Sequence, residues 1–303
     1  MEKTMPQDAF MTSSSVSGNF WRFPLTFYYV KAKYDLALQL HQPAFEMNAS
    51  WIWKEVNYEM QECLRLCHLH NGADLGMRGK FPLFLLNVDR DDDVYSYCRY
   101  WIPRENRVYT EGFDDDGDYD YLHIGSKEGD WIYPREEGCR SRDFFEDCPD
   151  TDPNEMDNQM LLAVWLVKMK IRCYYGIIPQ LWVHFTSTKL GRSLGDDLNE
   201  VILDFLTDCE AGTGLSMEAQ CDRLGDQLDR NVPSLLPALL NPEPLFSQTL
   251  PRQPEVQLVG IRGTPLEAYH ILYSCMKCAE SIPDLRRWLE VRYGENPTYD
   301  TVL

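Results

Sequence analysis

Residues 59–101 read EMQECLRLCHLHNGADLGMRGKFPLFLLNVDRDDDVYSYCRYW, and this stretch decides the fold. Apolar side chains recur every three to four positions up to Cys67, the spacing of one face of an α-helix. Asn71-Gly72 interrupts the pattern, and Asp74 can cap the next helix. That second, shorter helix is expected over Met77–Leu86, with Pro82 either starting a new turn or kinking it. Asp91, Asp92 and Asp93 stand where a helix N-terminus favours negative charge. Val94, Tyr97, Cys98 and Trp101 then form the inner face of a third helix.

The same period extends upstream. Phe27–Leu40 predicts a helix with a stripe of Tyr29, Ala32, Lys33, Leu36, Ala37 and Leu40, ended by His41-Gln42-Pro43. Trp51–Cys67 predicts its successor, burying Ile52, Val56, Met60, Cys63, Leu64 and Cys67, with Glu55 and Glu59 on the opposite side. Downstream, 158–174 is apolar nearly all round, which predicts a central helix. Lys168, Lys170 and Arg172 are expected to mark the end of this buried helix, a patch for an acidic partner being the alternative. Periodicity does not choose between helix and strand for 177–185. Asp196–Cys209 is a clean amphipathic helix, Ser216 opens another through Asp229, and Ser234–Leu240 holds a short helical piece. Thr264-Pro265-Leu266-Glu267 combines a capping box with Pro at the first helical position, and a final helix is expected between a Ser281 cap and Gly294.

The reading is an all-α chain: an N-terminal arm over 1–22, expected to be disordered, then one helical domain over 23–303. That domain carries a long acidic insertion at 103–157 and a Pro-rich loop at 241–263. In the insertion acidic residues far outnumber basic ones and Gly and Pro recur, a mix that resists forming a core of its own.

The net charge of −19 over 303 residues argues against nucleic acid, whose phosphates need clustered Lys and Arg, and against an anionic membrane. A basic protein partner fits it better. The opening residues lack the apolar core of a signal peptide, and no run is long enough to span a bilayer. The ten cysteines are then expected as thiols in a reducing compartment, which places the chain in the cytoplasm or nucleus.

Leu64-Arg65-Leu66-Cys67, then Asn71, Gly76-Met77-Arg78 and Pro82–Leu86 resemble a variant tetratricopeptide-type turn between helix pairs. Asp91, Tyr95, Tyr97 and Trp101, an apolar helix at 160–171, and Pro283 through Trp288 extend the resemblance. The group resembled is a set of fungal helical-repeat proteins, some of which carry a MYND zinc finger that this chain lacks. The resemblance implies antiparallel helix pairs in a compact domain and a protein-binding role without catalysis. Regular 34-residue repeats are absent, so a long solenoid does not follow. In such a fold the first helices of each pair line a groove, which makes Tyr28, Lys31, Tyr34 and Arg78 the candidate partner-binding residues.

Candidate chemistry is weighed against packing. Cys275-x-x-Cys278 lies inside an expected helix without a second ligand pair, and Cys63 and Cys67 fit a core stripe, so no metal or other cofactor is assigned. Asp114–Asp120 around Gly117 departs from the calcium-loop template at both ends. No phosphate-cradling Gly loop or nucleophile elbow occurs, and no catalytic residue is assigned. The competing reading is an enzyme whose site joins the acidic insertion to His123 or His184.

Overall fold

The computed structural model describes residues 25–47, 49–68, 77–111, 158–189, 215–242 and 263–299. Among the described residues there are nine helices and no strand. They are α1 (Thr26–Met47), α2 (Ser50–His68), α3 (Met77–Leu86), α4 (Asp91–Glu111), α5 (Asn158–Lys189), α6 (Met217–Asn231), α7 (Leu235–Leu240), α8 (Pro265–Ser281) and α9 (Leu285–Tyr293). The chain forms two compact units, 1–138 and 139–303.

In the first unit α1 and α2 pack along their lengths. Val30, Lys33 and His41 of α1 meet Cys63, Glu59 and Trp53 of α2 in turn, so the two helices run antiparallel. Phe81 and Arg78 of α3 meet Tyr97 and Trp101 of α4 in the same reversed order. Tyr34 and His41 meet Lys80 and Phe84 through their side chains, so α1 and α3 run in the same direction where they touch. The expected inner face of α4 is in place: Val94, Tyr97, Cys98 and Trp101 are all buried.

Three expectations for this unit are corrected. First, α1 does not stop before Pro43 but runs to Met47. An interior proline removes one backbone hydrogen bond and costs about 3 kcal/mol. Helix is retained across it because both flanks are anchored. Ala44 is fully buried, and the His41 ring lies edge-on to Trp53 and Phe84 at centroid distances of 5.0 and 5.4 Å. Second, the buried stripe of α1 is Thr26, Val30, Ala37, His41 and Ala44, whereas Ala32 and Leu36 are exposed. Small side chains at the contact let α2 approach closely, and α2 supplies the bulk through Trp53, Val56 and Met60. Third, Glu59 is buried rather than facing water, because it receives the Lys33 ammonium at 2.9 Å. Pro82 lies inside α3, and α4 runs on to Glu111, into the segment expected as insertion. Residues 112–157, with the acidic cluster at 114–120 and His123, lie outside the described residues.

In the second unit α5 is the centre. Residues 160–170 are buried on every side, including Lys168 and Lys170. Complete burial stops at Lys170, with 171–173 half-buried, but the helix does not end there: α5 continues through 177–185 to Lys189. Lys168 reaches the Gln220 side-chain oxygen at 2.6 Å, which gives a buried ammonium an acceptor. Trp165, Lys168 and Arg172 meet Cys221, Gln220 and Glu218, so α6 runs antiparallel to α5. Gly225 makes room for two indoles: a Cβ there would stand 3.3 Å from Trp288 and 3.6 Å from Trp165. The rings pack edge-on, 5.5 Å apart.

Helix starts in this unit follow the sequence signals closely. The Ser216 hydroxyl accepts from the Ala219 N–H at 3.2 Å, and the Thr264 hydroxyl accepts from the Glu267 N–H at 3.3 Å. The Glu267 carboxylate accepts from the Gly263 N–H at 2.6 Å, one residue before the position of a standard box, and from Asn158 at 2.9 Å. Ser281 does not cap the last helix. It ends α8, its hydroxyl donating to the Cys278 carbonyl at 2.7 Å, and α9 opens at Asp284. Gly294 closes α9 with a φ of 81° that disfavours any side chain. The helix expected at 196–209 and residues 243–262 of the Pro-rich loop lie outside the described residues.

Candidate functional site

The candidate partner-binding residues lie in the first unit, three on α1 and one on α3. Tyr34 faces α3, where its hydroxyl accepts from the Lys80 ammonium at 2.7 Å and its ring lies 5.4 Å from that nitrogen. Lys31, three residues earlier, is exposed and pairs with Asp35 at 2.8 Å. An exposed pair of this kind contributes about 0.3–0.5 kcal/mol, so the ammonium is readily given up to a partner. Tyr28 is exposed one turn further back. Together Tyr28, Lys31 and Tyr34 sweep from the outer surface of α1 to its seam with α3. Arg78 is elsewhere. Its guanidinium stacks on the Trp101 ring at 4.2 Å, and its carbonyl accepts from the Tyr97 hydroxyl at 3.1 Å, so it faces α4. Lys80 takes its place beside Tyr34. Sequence spacing alone does not single out Lys80, because α3 is apolar nearly all round and its period gives no face.

The opposite flank of α1 holds the Lys33–Glu59 bridge. The Glu59 side chain is 10% exposed and that of Lys33 20%, which makes this pair more enclosed than Lys31–Asp35 or Arg90–Asp93. Burial draws the Lys33 ammonium down, but the Glu59 hydrogen bond and the fields of Tyr29, Glu59 and Glu62 outweigh it, leaving a net upward shift. One turn to either side of Glu59 on α2 stand Glu55 and Glu62. With Trp51 and Tyr58 they form a stripe with a seven-residue spacing, legible in the sequence once the buried face of α2 is known.

The thiols are held by packing. Burial pushes the Cys63 and Cys221 thiols up to about 12 and raises that of Cys275 further. Such thiols are poor nucleophiles and poor ligands. Cys275 and Cys278 both lie on the buried face of α8. No group of three or more His, Cys, Asp or Glu with metal-holding geometry occurs among the described residues. His184 falls in α5, its side chain outside those described.

A second polar cluster joins α6 to α9. Arg292 bonds Asp226 and Asp229, the latter at 2.7 Å, and stacks 5.2 Å from the Trp288 centroid. The Tyr293 hydroxyl lies 2.7 and 2.8 Å from the two Asp229 oxygens. Burial, then Asp229, raises the Tyr293 phenol, which therefore stays protonated and donates. The cluster clamps a nine-residue helix to the unit, and its carboxylates are committed to that clamp.

No helix among the described residues is long and apolar enough to cross a membrane. Comparison with protein-family models, with curated proteins and with solved structures found no match to this chain.

Proposed function

We propose that this protein is a non-enzymatic scaffold that binds another protein, built on tetratricopeptide-like helix pairs in its first unit. The observation that carries the reading is the order of contacts: α1 with α2 and α3 with α4 antiparallel, α1 with α3 parallel. Such an order supports a reading in which the first helices of consecutive pairs stand in a row, along which a protein ligand lies in repeat proteins. The valley between α1 and α3 offers Lys31, Tyr34 and Lys80, with Tyr28 at its rim. Aromatic rings that carry a polar tip beside ammonium groups suit a protein surface with carboxylates. The acidic insertion at 103–157 adds a separate attraction for a basic partner.

The test is capture with the full chain and with a Tyr28→Ala/Lys31→Glu/Tyr34→Ala variant whose helicity is unchanged, followed by reconstitution with the purified partner. The reading requires a stoichiometric complex that the variant weakens at least tenfold. An identical set of bound proteins with both baits removes the valley from the account. The absence of any reconstitutable partner removes the scaffold.

A further inference from the structure

We draw no further inference here: the strongest candidate, the exposed apolar patch of Trp51, Tyr58 and Leu36 on the outward face of α1 and α2, carries the opposite charges of Lys54 and Glu55 at its centre, and nothing in the structure shows what covers it.

Discussion

Lys33 and Glu59 fix the register of α1 against α2, and separating them gives a measurable coupling. Their nitrogen and oxygen are 2.9 Å apart, and the Glu59 side chain is only 10% exposed. Lys33→Met leaves a carboxylate with little water and no ammonium. Loss of one partner from a fully buried pair costs about 3–5 kcal/mol. The residual exposure of Lys33 reduces this to about 2 kcal/mol, nearer the cost of an unsatisfied buried group. Glu59→Met strands an ammonium that can swing towards solvent on its flexible stem, so about 1 kcal/mol is expected. The double variant replaces both charges by apolar chains of similar length and should lose no more than about 1 kcal/mol. The coupling energy is then about 2 kcal/mol. Because the chain forms two compact units, global unfolding need not report on this contact alone. Hydrogen exchange read peptide by peptide, under conditions where protection follows the opening equilibrium, measures α1 and α2 directly. A coupling below about 0.5 kcal/mol, in the range of exposed pairs, would refute the antiparallel register of the two helices.

The same contacts have other consequences. Thr264→Ala should cost about 1 kcal/mol through the lost cap, and Glu267→Ala more, since that carboxylate holds both the Gly263 N–H and Asn158; thermal denaturation ranks them, and an equal loss would contradict the reach to Asn158. Gly225→Leu should destabilise the second unit by about 1–3 kcal/mol, because its side chain must enter the space held by Trp165 and Trp288, and a blunted tryptophan fluorescence shift on unfolding would accompany it. Stability should fall as pH rises from about 9 towards 12. An unfolded thiol ionises near 9, whereas Cys63 and Cys221 keep their protons to about 12, so over that window the unfolded chain binds fewer protons. The raised Lys33 ammonium adds to the loss once the pH passes the ordinary lysine value of 10.5. A Cys63→Ala/Cys221→Ala variant should show a shallower decline in urea midpoint between pH 8 and 10; an unchanged slope would exclude the thiols as its source.

The helical class was legible because period is a local property. Val94, Tyr97, Cys98 and Trp101 are spaced for one face and are buried together. Helix starts were legible wherever a side chain satisfies its own backbone, as at Ser216 and Thr264. The features that spacing did not reveal depend on a neighbour. The stripe of α1 is rotated because Ala37 and Ala44 fit under α2 while Leu36, more apolar, does not need to be covered. Glu59 looks like a solvent residue until Lys33 is set beside it. Pro43 and Pro82 stop helices on propensity alone, and here tertiary burial overrides that. Among the candidate site residues, Tyr34 finds Lys80 across α3, whereas Arg78 lies on Trp101 and is turned from the other three. Side-chain direction within a helix apolar on all faces is set by its neighbours, and residue spacing does not encode it.

The side-chain contact that sets α1 and α3 in the same direction underlies the scaffold reading, and site-specific photocross-linking tests it directly. A benzophenone amino acid replacing Tyr34 in the full chain, irradiated and digested, should link to residues 77–86, centred on Lys80. Links that fall instead within 91–111, or none to α3 at all, would contradict the arrangement and remove the valley on which partner binding is based.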